Sequence, residues 1–323
     1  MVDPMELELW SETDVDEARD AIVAAFRAAD PDGQRTARVF RDTLDQLYDG
    51  QHTGRYRWDQ LFKTEKTHCG TLVEINLRRA FDDLIDDGDT LDYRILGHEI
   101  DCKYSQTVGG WMLPPESFEQ LLLVAHADDA KGVWNLGVVR ATQENRRMTS
   151  VNRDGKTNLS PLGKRRIAWI FRNEPMLPNT LLGLDKSTLD AVFAPKSGQQ
   201  RVTELFRRVT HRRIGRNTVA TLAQQDDYMK RVRDNGGARG MLRAEGFLIP
   251  GGDYESHRIL ARQLGTEVPL PGEFVSVRVV PAAEGDVGVA EVDGGHWRAA
   301  FPDEPTLGPA PKLPSTKAPI AEA

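Results

Sequence analysis

A change of period is the feature that most constrains the fold. Through about residue 85, apolar residues recur at helical spacing. From residue 90 the chain reads "TLDYRILGHEIDCKYS", in which apolar and polar residues alternate around a Gly97-His98 turn. Alternation over that length, broken by a turn pair, predicts a β-hairpin with one buried face. "EQLLLVAHA" and "VWNLGVVRA" follow as two more strands, the first apolar enough to be central in a sheet. Three helices precede the hairpin. "DVDEARDAIVAAFRAADPDG" closes on a Pro-Asp-Gly turn. "RTARVFRDTLDQLYDG" carries Val39, Phe40, Leu44 and Leu47 on one face and stops at Gly50. "CGTLVEINLRRAFDDLI" buries Val73, Leu77, Phe81 and Leu84. Helices feeding a hairpin and a central strand describe an α/β domain with a mixed sheet, running from residue 1 to about residue 168.

The hairpin also carries charge where a purely structural strand would not need it. Ile100, Cys102 and Tyr104 fall on one face, and Asp101 and Lys103 on the other, because successive side chains of a strand alternate. A tight turn with an odd register sum brings Asp92 opposite Asp101 or Lys103, on the same face. Glu74 lies beside the apolar stripe of the preceding helix and can point toward the sheet. A surface ion pair would account for Asp101 and Lys103 alone and would be worth little. The full set of Glu74, Asp92, Asp101 and Lys103 suits hydrolysis of a phosphodiester. That reaction uses Mg²⁺, a hard cation that takes carboxylate oxygens and keeps several waters. Asp92 and Asp101 are candidate ligands, the main-chain carbonyl of Cys102 is another, and Glu74 can bind a second metal or hold a water. The lysine can stabilise the attacking hydroxide and a non-bridging oxygen.

Beyond the sheet, "RNEPMLPNT" reads as a connector, which places a linker at residues 169–180. Short helices are expected at "STLDAVF", "RVTELFRRV", "NTVATLAQQDDYMKRVR" and "GGARGMLRAEG". Strands follow at "GFLIP", "EFVSVRVVPA" and the hairpin "VGVAEV-DGG-HWRAAF". Basic helices followed by a small hairpin sheet predict an α+β winged helix-turn-helix domain over residues 181–303. The remaining residues, 304–323, are Pro-rich and are expected to be disordered.

The formal net charge of −7 conceals a segregation. Residues 1–30 hold nine acids and two bases, whereas residues 196–243 hold twelve Lys/Arg against four Asp/Glu. A second basic stretch, 140–166, holds eight Lys/Arg against two acids. Two basic segments in an acidic chain suit a polyanionic partner, and double-stranded DNA is the natural one. The plainer alternative is two solvated helical faces. In the first stretch, Arg146, Arg147, Asn152 and Arg153 are candidates for contact with guanine or phosphate. In the second, Arg212, Arg213, Arg216, Lys230, Arg231, Arg233 and Arg239 are the expected DNA-facing set. Most of these should touch phosphate, which positions without specifying. Val209, Ile214, Val219, Leu222 and Met229 are expected to pack the helices.

Other classes are excluded. No apolar run approaches the ~18 residues of a membrane span. The acidic N-terminus does not read as a signal peptide. Cys69 and Cys102 have no partner at metal-ligand spacing, so neither a zinc framework nor a disulfide scaffold is expected and a reducing cytoplasm fits.

"RDTLDQLYDGQHTGRYRWDQLFKTEKTHCGTLVEINL", "DCKYS" and "WMLPPES" closely resemble the NaeI-type restriction endonucleases. So do "VTELFRRV", "IGR", "AQQDDYMKRVR" and "GGAR" further on. The likeness runs from about residue 30 to residue 300. It implies a type IIE enzyme: a PD-(D/E)xK endonuclease domain joined to a helix-turn-helix domain. It also implies a homodimer that cuts a GC-rich palindrome, GCCGGC, with Mg²⁺, and a second, effector copy of that DNA on the C-terminal domain. In the family's pattern the metal-site carboxylates fall on Glu74, Asp92 and Asp101 and the catalytic lysine on Lys103. The proline usual before the first catalytic aspartate is missing, since residue 91 is Leu. "LYDG" resembles the K-x-D-G nucleophile motif of DNA ligases. Leu47 stands where the lysine would be, and Asp49 and Gly50 are retained; without the amine no covalent adenylate can form. Two rival readings are a non-catalytic winged-helix regulator and a topoisomerase-like strand-passage enzyme.

Overall fold

The computed structural model describes residues 15–148 and 153–314. Two compact units emerge, the first comprising Met1–Leu47 and Arg57–Pro178, the second Tyr48–Tyr56 and Asn179–Ala323.

The first unit is a mixed α/β layer structure. Helix α1 (Glu17–Ala29) starts at Asp16, whose carboxylate accepts the N–H of Arg19. Asp30 ends α1 and begins α2 (Gln34–Tyr48): its carboxylate accepts the N–H groups of Arg35 and Thr36 and the Thr36 hydroxyl. The three backbone bonds among these satisfy donors that the first turn of a helix leaves open. Val39, Phe40, Leu44 and Leu47 are all buried, as their spacing predicts. A one-turn helix, α3 (Gly50–Thr53), belongs to the second unit. Helix α4 (Lys63–Ala80) starts earlier than its apolar stripe suggests and buries Cys69, Val73 and Leu77.

Six strands follow: β1 (Asp86–Asp87), β2 (Tyr93–Ile95), β3 (His98–Ser105), β4 (Leu121–Asp128), β5 (Val133–Arg140) and β6 (Ala168–Pro175). They lie in sequence order, with β3 and β4 parallel and every other pair antiparallel. All eight residues of β4 are buried between β3 and β5, as expected of the most apolar segment. The hairpin turn falls at Leu96-Gly97, both with positive φ, one residue before the predicted pair. Its register pairs Tyr93 with Ile100 and Ile95 with His98, so the sum is odd as anticipated. A short helix, α5 (Pro161–Arg165), precedes β6.

Strand β6 overlaps the segment read as a linker at 169–180. "RNEP" is not a connector but the end of a strand paired with β5, bent by register shifts beside Leu136. The division between units falls after Pro178 rather than near residue 168.

The second unit contains α6 (Lys186–Phe193), α7 (Gly198–Arg208), α8 (Arg216–Ala223), α9 (Ala238–Arg243) and α10 (Glu255–Gln263). Its strands are β7 (Arg213–Gly215), β8 (Phe247–Leu248), β9 (Glu273–Val275), β10 (Val277–Pro281), β11 (Val289–Val292) and β12 (Gly295–Ala299). They form a four-stranded sheet in the order β11-β12-β10-β8 and a separate β7-β9 pair. The single long helix expected over 217–233 is broken. Residues 218–223 are all buried, and the polar run from Gln224 cannot continue on that face; Gln224 turns into the left-handed region and a short 3₁₀ turn follows at Tyr228–Arg231. "EFVSVRVVPA" divides at Ser276, whose buried hydroxyl donates to Phe206 O, so its halves join different sheets. Helix α10 had no counterpart among the expected elements. The Pro-rich tail is irregular yet packed as far as Pro314: Ala310 is buried and bonded to Arg243 O, and Leu313 lies on the core of the four-stranded sheet. That corrects the expectation of disorder for residues 304–314, while 315–323 lie outside the described residues. Among the described residues no helix is long and apolar enough to cross a membrane.

Candidate active site

The hairpin gathers Asp92, Asp101 and Lys103, and α4 brings Glu74 to a cleft that Asp92 also lines. Tyr93 OH donates to the main-chain carbonyl of Glu74 at 2.6 Å, fastening the middle of α4 to β2. Asp92 precedes β2 in step with Asp101, and its Oδ2 accepts the N–H of Cys102 at 2.8 Å. Asp101 and Lys103 share a face of β3 and form a direct ion pair. The Lys103 ammonium also lies 3.0 Å from the Cys102 carbonyl oxygen and 3.7 Å from Asp92 Oδ2. Glu74 and Asp92 line an open cleft of about 760 Å³ together with Arg78, Arg79, Asp82 and Asp86.

Burial sets the electrostatics. It pushes the Asp101 carboxyl up to about 7, with Asp92 adding to the rise and Lys103 opposing it. Glu74 is raised for the same reasons, burial first and the Asp92 charge second. Burial disfavours the Lys103 ammonium, but Asp101 and Asp92 outweigh it, so the lysine stays charged above its ordinary range. The Cys102 thiol is buried and pushed up by burial, which leaves its carbonyl as the only useful ligand atom of that residue.

A divalent cation fits part of this set. Asp101 Oδ2 is buried without a hydrogen-bond partner in the described structure, an expensive condition that a bound cation would relieve. Asp92, Asp101 and the Cys102 carbonyl offer the hard oxygens that Mg²⁺ prefers. Among the described residues no three Asp, Glu, His or Cys side chains converge as a metal cage. Glu74 shares the cleft lining with Asp92 without closing such a cage with the two aspartates.

Glu99 was missed by the sequence reading. Its carboxylate accepts the N–H groups of Asp89, Thr90 and Leu91 at 2.9, 3.1 and 2.9 Å, fixing the loop that delivers Asp92. Those three donors hold its pKa below the usual range. The same contact explains the missing proline: residue 91 must donate an N–H, which proline lacks. The signal was available, since Glu99 stands two residues before Asp101 on the same strand face.

The basic candidates separate by environment. In the first unit Arg146 is tied down: it stacks on Phe118 at 3.8 Å and pairs with Glu119 at 2.8 Å. Arg147 and Arg153 are exposed. Asn152 lies outside the described residues. In the second unit Arg212 and Arg233 are exposed, and Lys230 and Arg231 both reach Asp227. Arg213 faces Glu267 and Glu273, and Arg216 pairs with Asp253. Arg239 is a packing residue: its Nε donates to Ile249 O, and burial lowers its pKa. Val209, Ile214, Val219 and Leu222 are buried in the second core, with partly buried Met229 packed on it.

"LYDG" has a packing explanation. Leu47 is buried at the end of α2. Asp49 takes a left-handed conformation and pairs with His52. Gly50 lies so close to α8 that a Cβ there would stand 2.0 Å from Thr221 Oγ1.

The chain matches the family model described as restriction endonuclease NaeI over residues 20–308. It is 47% identical over 311 residues to the type II restriction enzyme NaeI of Lentzea aerocolonigenes, covering 94% of this chain and 96% of that enzyme. With a match across nearly its whole length, the chain belongs to the NaeI family of type II restriction endonucleases.

Proposed function

We propose that the protein makes Mg²⁺-dependent double-strand breaks at a GC-rich palindrome, GCCGGC, as a cytoplasmic homodimer. In this reading the first unit is a PD-(D/E)xK nuclease. The second is a winged helix-turn-helix unit holding another copy of the recognition DNA, which stimulates cutting. The observation that carries it is the juxtaposition of Asp92, Asp101 and Lys103 on one hairpin, with Asp101 Oδ2 buried and unsatisfied.

Asp92, Asp101 and the Cys102 carbonyl would hold the ion. Its positive charge would acidify an attacking water and offset charge building on phosphorus. Lys103 supplies a second, fixed positive charge within reach of a non-bridging oxygen. Glu74, whose raised pKa makes it a better proton acceptor than an ordinary glutamate, orients the water from the α4 side. Asp92 holds the backbone of Cys102 and so the path of β3. Phosphate contacts in both units, through Arg147, Arg153, Arg212, Lys230 and Arg233 among others, position the two duplexes.

Plasmid incubation with and without Mg²⁺ tests the reaction. Discrete double-strand fragments are expected, with ends mapping to GCCGGC. Binding without cutting would instead support a regulator, and altered linking number a strand-passage enzyme. For the effector, a one-site plasmid should be cut faster when a short cognate duplex is added and not when a scrambled one is. A coupling of ~1–3 kcal/mol corresponds to about 5- to 150-fold. Equal rates over a wide concentration range would remove the effector from the proposal.

A further inference from the structure

Beside the catalytic cleft, on the other flank of α4, lies a groove of about 600 Å³ between α2 and α4. Arg35, Arg38, Asp42, Gln46, Asn76 and Arg79 line it. Arg79 lines the catalytic cleft as well, so the two depressions share a wall. Arg35 is already committed: it pairs with Asp83, donates to Ala80 O at the end of α4 and lies over the Phe81 ring. Arg38 and Arg79 are different. Both are exposed, and among the described residues neither makes an ion pair or a hydrogen bond. Asn76 bridges the helices through Thr43 Oγ1 and Gln46 Oε1, so the groove floor is held in shape. Asp42 is the one carboxylate among its lining residues.

We propose that Arg38 and Arg79 anchor backbone phosphates of the substrate strand next to the one that is cut. This rests on the nuclease reading above and extends it to residues outside the catalytic set. Glu74 and Arg79 are five residues apart on one helix, about 7.5 Å along its axis. Phosphates of one strand advance about 3.4 Å each along a duplex, so a strand with its scissile phosphate at Glu74 and Asp92 reaches the groove within two or three nucleotides. Guanidinium groups suit the purpose, since each can grip a phosphate with paired donors. A cleft lined by Glu74, Asp82, Asp86 and Asp92 repels DNA, and nearby cations that are not held in ion pairs offset that repulsion where the strand must be held still.

The test uses the full-length protein and a labelled 30-base-pair duplex with a central GCCGGC, without divalent metal so that binding alone is read. Arg38→Ala and Arg79→Ala should each weaken binding and flatten the dependence of log affinity on log salt by about 0.9. The double variant should flatten it by about 1.8. Replacing the phosphates beside the cut with neutral methylphosphonates should weaken the wild-type protein to the level of the double variant and leave that variant nearly unchanged. Unaltered melting temperature and sedimentation in the variants keep the comparison clean. A double variant with wild-type affinity and salt slope overturns the proposal. So does one that loses its dimer while keeping the slope, which would make the groove an interface between copies. Cleavage of plasmid by wild-type protein is scored separately: its failure removes the nuclease reading, while a salt-slope difference would still place DNA phosphate in the groove.

Discussion

Replacing Lys103 with methionine keeps the reach of the side chain and removes its charge. The ammonium touches Asp101, lies 3.7 Å from Asp92 Oδ2, and sits on a side chain only 22% exposed. At an effective dielectric constant of about 20, unit charges about 4 Å apart interact by about 4 kcal/mol. That bounds what the ammonium can contribute to charge developing on a phosphate oxygen at similar range. Removing one such stabilising donor from an active site costs about 2.7–4 kcal/mol, a factor of about 10²–10³ in rate. Single-turnover cleavage by Lys103→Met should therefore fall by that factor, while affinity for the duplex, spread over many phosphate contacts, changes by no more than about threefold. The variant also leaves Asp101 and Asp92 without their cation. The Asp101 carboxyl, already raised to about 7 by burial, should rise further and take up a proton. A raised folded-state pKa gives stability that is lost as pH rises through it, so the melting temperature of the variant should fall more steeply than that of wild type above pH 7. Cleavage within tenfold of wild type would refute Lys103 as the stabilising charge. A loss of binding large enough to explain the whole rate defect would recast it as a phosphate anchor.

Glu99→Ala should free the 89–91 loop and slow cleavage by about tenfold with duplex affinity retained, as expected when a reacting group shifts by a fraction of an ångström; an unchanged rate would detach that loop from the placement of Asp92. Arg233→Ala should flatten the salt dependence of binding by about 0.9 with little change in melting temperature. Arg239→Ala should do the reverse, losing stability without changing the slope; matching phenotypes would erase the distinction drawn from their packing. Gly50→Ala forces a methyl onto Thr221 and should cost about 1–3 kcal/mol by denaturant titration. Thr221→Ala should recover part of that loss, and a neutral Gly50→Ala would mean that α3 does not hold against α8. Burial raises the Asp45 carboxyl to about 6 despite its pairing with Arg41. Its contribution is then fully present below about pH 4 and lost as pH rises through about 6. Relative to Asp45→Asn, the wild-type protein should therefore lose about 1–3 kcal/mol over that interval, and parallel stability–pH curves would count against the raised pKa.

Local pattern revealed most of the first unit. The apolar stripes of α1, α2 and α4 and the alternation in β2 and β3 are short-range signals, and an odd hairpin register follows once the turn is tight. That is enough to put Asp92 on the face of Asp101 and Lys103, and the observed register selects Asp101. Strand β6 was misread because "RNEP" carries the polar and proline residues of a connector. It is an edge strand, and five of its eight residues, Ala168, Trp169, Phe171, Glu174 and Pro175, pair in register with β5. Edges tolerate residues that a central strand refuses. The expected 217–233 helix failed for the opposite reason. Its helix-forming composition was sound, but burial of residues 218–223 on every side left no place for the polar run that follows.

The basic residues show where reading from sequence stops. An arginine contributes the same charge to a composition count whether it grips phosphate, caps a helix or packs on a ring. In the structure these fates diverge: Arg239 is spent on Ile249 and the Phe274 ring, Arg146 on Phe118 and Glu119, and Arg35 on the end of α4. Arg38 and Arg79 lie outside both basic segments, in stretches where neighbouring acids cancel them on average, yet each reaches the groove without a carboxylate partner within ion-pair range. Net charge per segment therefore locates where DNA is welcome only on the scale of a domain. At the scale of a single phosphate, what matters is whether the guanidinium already has a partner, and that depends on contacts between residues far apart in the chain. The aspartates proposed for catalysis, Asp92 and Asp101, escape this difficulty because strand alternation and one tight turn, both local, fix their faces. The chemistry proposed for this chain is thus written in short-range pattern, and the proposed DNA contacts in long-range packing.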